Sequence, residues 1–312
     1  MGFRNVVNDE SGHAPRLRMQ HCTWALLNLP RGGQEWSMAQ KLDMVAGAGF
    51  KGYDAYGIRP PESDELATML RDRGLAFGYS TGASHPDDLL LPIEIAHRMG
   101  ADYINVQVGG SLKAAPEIAD LLEEMFELVN DAGIPLFIET HRNTVTQDLR
   151  RTVKVINRFK KVRFTGDFSH YIVAGELGGE WSEEVWAHLR PIAGRCGNFH
   201  GRISNGEQIQ VDIGDGTGSL AQNFKKLWTV GMTAWLKKSQ PGDILPFTCE
   251  LGPIAYSIPD LSGWEISDRW EQCLVIKRLA EEAWQDAQTA HQIAAAVEHP
   301  TGEVNLDAPA SS

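Results

Sequence analysis

The segment Leu136–His141 reads Leu-Phe-Ile-Glu-Thr-His, an apolar run that ends on the carboxylate of Glu139. Three later apolar runs also end on a side chain that can ligate a metal: Val162–His170, Cys196–Ile203 and Ile244–Gly252. The ligand-type residues in these three runs are Asp167, His200 and Glu250. Short, nearly continuous apolar runs are typical of parallel strands that helices cover on their outer face.

Strand and helix patterns alternate eight times along the chain. Strands are predicted near 20–28, 52–57, 75–82, 103–109, 136–141, 162–168, 197–203 and 245–251. Helices are predicted near 36–48, 62–73, 86–99, 115–132, 146–159, 182–190, 218–238 and 267–292. Glycines that favour a left-handed helix stop lie where four helices should end, at Gly49, Gly74, Gly100 and Gly133.

Eight alternations without a domain linker predict an α/β fold, a single-domain (βα)8 TIM barrel over residues 19–296. Residues 1–18 are predicted to form a flexible N-terminal arm, and residues 297–312 a disordered C-terminal tail. The competing fold is an open doubly wound sheet. It is disfavoured because no Gly-x-Gly-x-x-Gly follows the first strand.

Composition narrows the classes of partner. The 312 residues carry a formal net charge of −12, which disfavours nucleic acids and anionic membranes as partners. The four cysteines are widely scattered without a Cys-x-x-Cys pair, and no segment has the length and apolarity of a membrane span or signal core. A cytoplasmic location is therefore predicted.

The four ligand-type residues predict a metal site. Taken singly, each has an ordinary structural reading, as a hydrogen-bonded carboxylate or a satisfied core histidine. Taken together, Glu139, Asp167, His200 and Glu250 end four consecutive strands, and burying three neighbouring carboxylates without a cation is very costly. This mostly oxygen donor set predicts a divalent metal, with Mn²⁺ expected and Mg²⁺, Co²⁺, Fe²⁺ or Zn²⁺ as alternatives.

Neighbouring residues suggest the chemistry. Strand alternation places His141 on the side of Glu139 and Arg202 on the side of His200, while His170 lies at the rim, three residues after Asp167. A metal beside such groups suits proton transfer at the carbon next to a sugar carbonyl. His170 and Arg202 are candidate contacts for substrate oxygens, with a rim hydrogen bond and a carboxylate partner as their structural alternatives.

The four residues in this order resemble the xylose isomerase-like barrel superfamily, which includes ketose 3-epimerases, hydroxypyruvate isomerase, inosose dehydratase and endonuclease IV. The resemblance covers about residues 20–290. By its match to the ketose 3-epimerases, it implies that Glu139 and Glu250 bind the metal and act as the catalytic acid/base pair. Asp167 and His200 would be the other two ligands.

The same resemblance leaves other reactions open. Arg202 follows His200 by only two residues, and Glu139-Thr-His-Arg is not the usual epimerase ending, so His141 is a candidate additional base. The alternatives are a lyase or dehydratase, a subunit that cleaves C-glycosides of oxidised sugars, and a non-catalytic sugar-binding barrel. An endonuclease IV activity is disfavoured by the net negative charge. Such an enzyme needs extra histidines for a three-zinc site, and this chain lacks them and has Gln107 at the end of the fourth strand.

Three further residues are candidates for substrate contact. Trp24, at the end of the first predicted strand, is placed to stack on a sugar ring, or else packs in the core. His85 either lines the pocket or begins the third helix, and Gln107 ends a strand at the barrel mouth. The expected partner is an unphosphorylated sugar or keto-sugar, and a homo-oligomer is left open.

Overall fold

The computed structural model describes residues 3–298 and shows a closed eight-stranded parallel barrel. The strands of the described residues are β1 (Val7–Asn8), β2 (Arg16–Cys22), β3 (Gly52–Tyr56), β4 (Ala76–Ala83), β5 (Ile104–Val108), β6 (Leu136–Glu139), β7 (Phe164–Gly166), β8 (Cys196–Gly201) and β9 (Asp243–Cys249). Strands β2 to β9 pair in sequence order, and β9 also pairs in parallel with β2, which closes the barrel. The predicted single-domain (βα)8 barrel is confirmed.

The helices surround this barrel. They are α1 (Met38–Gly47), α2 (Glu62–Asp72), α3 (Leu90–Met99), α4 (Ala115–Ala132), α5 (Leu149–Arg158), α6 (Ser169–Ala174), α7 (Glu183–Ala193), α8 (Ser219–Leu236) and α9 (Arg269–Glu298). The four glycines predicted to stop helices all have positive φ, between 62° and 81°. The short α6 had no counterpart in the sequence prediction because one and a half turns carry too few residues to show a helical period.

The start of the chain differs from the prediction. The first barrel strand covers Arg16–Cys22, so the predicted bounds of 20–28 are wrong, and Trp24 begins a short 3₁₀ turn instead of ending a strand. Within the predicted N-terminal arm, β1 pairs antiparallel with β9. The Asn5 side chain hydrogen-bonds the backbone N–H and carbonyl of Leu136. Of the predicted tail, residues 299–312 lie outside the described part of the chain.

The outer face of the barrel packs against α8. Phe199 and Phe247 stack with ring centroids 6.1 Å apart, and Trp228 meets Phe247 edge-to-face at 5.0 Å. All three rings are fully buried. Gly231 lets the helix come this close, because a Cβ there would lie 2.6 Å from a Phe199 ring carbon. This layer holds β8 and β9, the strands that precede His200 and Glu250.

The interior of the barrel is apolar at the N-terminal end of the strands and polar toward their C-terminal end. At the N-terminal end of the strands, an apolar plug forms from Val7, Tyr103, Phe137 and Ile244. Above it the buried residues are polar, and they include Gln20, Asp54, Ser80, Asn105, Asn198 and Thr248. A polar interior layer therefore underlies the carboxyl ends of the strands, where the candidate site lies.

The four cysteines are buried and unpaired. Among the described residues, no helix has the length and apolarity needed to cross a bilayer.

Gly197 tests the packing of the apolar plug. A Cβ at Gly197 would lie 2.4 Å from a ring carbon of the fully buried Phe137, so Gly197→Ala should lower the free energy of unfolding by about 1–3 kcal/mol through overpacking. The control is Gly47→Ala in α1, where no atom lies within 4 Å and a gain of up to about 1 kcal/mol is expected. Urea denaturation measures both, and equal effects would contradict this packing.

Candidate metal and substrate site

The four predicted ligands meet at the carboxyl ends of the strands. Glu139 ends β6, Asp167 follows β7, His200 lies in β8, and Glu250 follows β9. Each offers one ligand atom, and these four atoms lie within 4.8 Å of one another. Glu139, Asp167 and His200 are buried, and Glu250 is partly exposed. The group could therefore hold a metal ion.

The donor atoms fit a divalent cation. His200 Nδ1 lies 2.8 Å from Glu250 Oε2 and 3.9 Å from Glu139 Oε1, yet neither buried ring nitrogen makes a well-directed hydrogen bond. An orphaned nitrogen facing two carboxylates is the arrangement that a shared cation would satisfy. Three carboxylates with one imidazole suit Mg²⁺ or Mn²⁺ and admit Zn²⁺, Fe²⁺ or Co²⁺.

The ligand carboxylates are oriented by fixed donors. Asn105 Nδ2 donates to Glu139 Oε2 at 2.7 Å, and Gln107 Nε2 donates to Glu139 Oε1 at 3.1 Å. The Ser169 hydroxyl donates to Asp167 Oδ1 at 2.5 Å, and its backbone N–H donates to the same oxygen at 3.1 Å. Gln107 thus holds a ligand in place while also lining the cavity above it.

Arg202 bridges two of the ligands. Its Nη1 donates to Asp167 Oδ2 at 2.5 Å and its Nη2 donates to Glu250 Oε2 at 2.8 Å, while Nε donates to the Glu250 carbonyl at 3.0 Å. The guanidinium is buried, with its carbon 4.8 Å from the Tyr256 ring centroid and 5.2 Å from that of Trp24. Arg202 therefore has the carboxylate partners of its structural reading and also lines the cavity.

The surroundings of Glu139 and Glu250 shift their pKa values in opposite directions. Burial raises the pKa of Glu139, and the nearby charge of Glu250 raises it further. Burial also favours a higher pKa for Glu250, but the positive charges of His200 and Arg202 outweigh it and lower that pKa to about 2. A pair of carboxyl groups whose environments push their pKa values apart is suited to acid/base roles.

Two histidines form a second group beside the first. His141 and His170 have ring centroids 3.8 Å apart, and together with Glu139 they form another set whose ligand atoms lie within 4.8 Å. Burial and nearby positive charges lower the pKa of His170 well below its ordinary value, which keeps the ring neutral. Its Nε2 lies 3.2 Å from Arg202 Nη1, and its buried Nδ1 has no hydrogen-bond partner.

The tautomer of His141 follows from its contacts. Its Nδ1 lies 2.6 Å from the Arg142 carbonyl, which can only accept, so Nδ1 carries the proton. The lone pair is then on Nε2, which lies 3.3 Å from the Tyr256 hydroxyl. His141 is thus a base paired with a phenol at the cavity wall.

A cavity of about 470 Å³ opens onto these groups. It is lined by Thr23, Trp24, Leu27, Tyr56, Gln107, Glu139, His141, Arg202, Glu250 and Tyr256. Trp24 meets Tyr256 edge-to-face with centroids 4.7 Å apart, so the two rings form one wall. The volume suits a small molecule of the size of a sugar.

The structure does not bring every candidate to this cavity. His85 is exposed, lies at the start of a short 3₁₀ turn (Pro86–Leu89), and is not a cavity-lining residue. The sequence analysis missed Tyr256, Tyr56 and Asn105. Strand alternation could have identified Asn105, which lies two residues before Gln107 on the same face of β5. No periodic signal marks Tyr256, because it lies in the irregular segment after β9.

Comparison with known proteins identifies the family to which the chain belongs. The sequence model described as Xylose isomerase-like TIM barrel matches residues 42–227, more than half of the chain. The chain belongs to this family. No curated protein matches the sequence.

Solved structures share the fold at low identity. A probable 3-DHS dehydratase from Bacillus anthracis has 13% identity and a TM-score of 0.55, covering 84% of this chain and 97% of its own. A Xylose isomerase-like TIM barrel protein from Mycobacterium smegmatis in complex with magnesium has 15% identity and a TM-score of 0.55, covering 90% and 98%. D-psicose 3-epimerase from Clostridium cellulolyticum H10, solved with D-tagatose, has 12% identity and a TM-score of 0.52, covering 88% and 99%.

A buried carboxylate supports the site from below. Asp54 accepts hydrogen bonds from Ser80 Oγ at 2.5 Å and from the Tyr103 hydroxyl at 3.0 Å. Ser80 in turn accepts from Asn105 Nδ2 at 3.1 Å, and Asn105 holds Glu139. Burial raises the pKa of Asp54 to about 6. A continuous polar path thus connects this carboxyl group to a ligand glutamate.

Asp54 predicts a pH dependence of stability. Because its pKa is higher in the folded chain than in the unfolded chain, its stabilising contribution is complete below about pH 4 and is lost as the pH rises through about 6. In chelator-treated parent protein, the free energy of unfolding should fall by up to about 3 kcal/mol between pH 4 and pH 7. The variant Asp54→Asn should not show this fall. Urea denaturation at several pH values measures it, and the exposed Asp131→Asn should keep the parent's profile.

Proposed function

We propose that this protein is a divalent-metal-dependent isomerase or epimerase of a ketose or keto-sugar, acting by proton transfer at the carbon next to a carbonyl. The observation that carries the proposal is the pair Glu139 and Glu250, which line one sugar-sized cavity and face the same histidine. The family and the epimerase and dehydratase structures of the same fold support the choice of reaction class.

The residues divide the work. The metal, proposed to be Mn²⁺, would be held by Glu139, Asp167, His200 and Glu250. It would polarise the substrate carbonyl and so make the hydrogen on the neighbouring carbon more acidic. Glu139 and Glu250 both line the cavity, so one is suited to accept the carbon-bound proton and the other to return one. Arg202 and Gln107 line the cavity and present donors to substrate oxygens, whereas His170 is buried beside Arg202 and does not line the cavity. The wall of Trp24 and Tyr256 packs against the sugar.

Metal content tests the ligand assignment. Protein purified without chelator and reconstituted with Mn²⁺ should bind about one equivalent by elemental analysis, and Glu250→Gln should lose it because one anionic ligand becomes neutral. Glu124→Gln, which neutralises an exposed glutamate on α4, should keep the metal. Absence of metal after reconstitution would overturn the site, and two equivalents would show that Glu139, His141 and His170 hold a second ion.

Hydrogen exchange tests the reaction. When ketoses are incubated with the Mn²⁺ protein in D₂O, a true substrate should take up deuterium beside its carbonyl and give an isomer of otherwise unchanged composition. Glu139→Gln should slow conversion by about 10²–10⁴-fold, the usual contribution of an acid/base group, and Glu124→Gln should not. Full turnover in Glu139→Gln would show that another group transfers the proton.

A lyase is the second candidate, and the pair His141 and Tyr256 favours it. A histidine whose Nδ1 faces a carbonyl and whose Nε2 faces a phenol provides a base and a proton donor that isomerisation does not require. In a lyase, His141→Asn should reduce turnover about 100-fold and the product should lack water or an aglycone by mass spectrometry. In an isomerase, the same variant should retain deuterium uptake and conserve product mass.

A further inference from the structure

A second cavity lies at the opposite end of the barrel. It has a volume of about 440 Å³ and is lined by the N-terminal segment 3–6 and by the strand beginnings at Cys196 and Asp243. The remaining lining residues lie in the last turns of α4 and α8 or in the segments that follow α5, α7 and α8. The candidate active site lies at the strands' other ends, with the barrel interior between them. None of the residues that line this cavity lines the sugar-sized one.

The lining of this second cavity is strongly basic. Its charged residues are Arg4, Lys160, Lys161, Arg163, Lys238 and Asp243. The single carboxylate is already satisfied, because Asp243 accepts from Arg4 at 3.0 and 2.7 Å and from Asn8 at 2.7 Å. The other four cations have no carboxylate within 4.0 Å among residues 3–298, although the whole chain carries a net charge of −12.

Arg163 and Lys238 are near enough for their charges to interact. Arg163 is half-buried, and its Nη1 donates only to backbone carbonyls, that of Val162 at 3.0 Å and that of Lys161 at 3.4 Å. Burial and the charge of Arg195 lower the pKa of Arg163. Burial and the charges of Arg163 and Arg195 likewise lower the pKa of Lys238. The cluster therefore carries mutual repulsion that an anion would relieve.

Helix ends offer a competing explanation. The helices α4, α5, α7 and α8 end at this side of the barrel, and cations near helix C-termini are favourable. That effect accounts for basic residues at this end. The helix-end effect does not explain why four cations line the same cavity, together with the aromatic residues Phe3, Phe126 and Trp235.

We propose that this basic cavity binds a small molecule carrying a diphosphate group. Arg163 supplies a forked donor for one phosphate, and Lys160, Lys161 and Lys238 supply the further positive charges that a diphosphate needs. This binding does not depend on which reaction the other end of the barrel catalyses.

The test uses inorganic pyrophosphate as the probe. Calorimetric titration of the full chain, stripped of metal by chelator, should show one bound equivalent whose affinity weakens as NaCl is added. Arg163→Gln should weaken binding by at least about tenfold, because a charged, forked contact is lost. Lys238→Gln should weaken it as well. The matched control is Lys154→Gln, which removes the same charge from an exposed position of α5 outside the cavity.

Two results would overturn the proposal. One is that the parent protein shows no saturable pyrophosphate binding, or that Arg163→Gln and Lys154→Gln bind it equally to the parent. The other is that Arg163→Gln and Lys238→Gln lower the urea midpoint while the affinity of the folded fraction stays unchanged, which would show that the cations serve only the helix ends. Circular dichroism of each variant separates loss of fold from loss of binding.

Discussion

Three carboxylates gathered at one end of a closed barrel set the main constraint on this molecule. Glu139 and Asp167 are buried, and Glu250 is nearly so, which without compensation would be strongly unfavourable. Arg202 neutralises part of this charge by bridging Asp167 and Glu250, and His200 faces both glutamates. A divalent cation would supply the remaining positive charge, which is why the arrangement favours metal-assisted chemistry over a purely structural ion-pair network.

Three layers of the barrel hold the carboxylates in position: the helices outside, the apolar plug at the N-terminal end and the polar interior between plug and site. Apolar packing of α8 on Phe199 and Phe247 fixes the strands from outside, while the plug around Phe137 closes the N-terminal end of the interior. Between plug and site, polar groups orient the ligands through hydrogen bonds, as in the path from Asp54 through Asn105 to Glu139. Ligand geometry therefore depends on residues with no catalytic role of their own.

The cavities at the two ends of the barrel are lined by different charged residues. The carboxyl ends of the strands collect the ligand carboxylates, whereas the amino ends collect Lys160, Lys161, Arg163 and Lys238 around a separate cavity. Parallel topology produces this separation, because loops that follow the helices all return to one end of the barrel and loops that follow the strands to the other. The two cavities therefore occupy one domain without sharing lining residues.

The sequence by itself determined the barrel and the meeting of Glu139, Asp167, His200 and Glu250 at one end of it. Alternating strand and helix patterns are local signals, and ligand-type residues at the ends of consecutive parallel strands must meet at one end of the barrel. Only the tertiary structure decided the partners of those ligands: that Arg202 reaches both Asp167 and Glu250, that Asn105 holds Glu139, and that Tyr256 faces His141 while His85 lies outside the cavity. These contacts join residues up to 115 positions apart, or lie in irregular loops, and no periodicity specifies such distances.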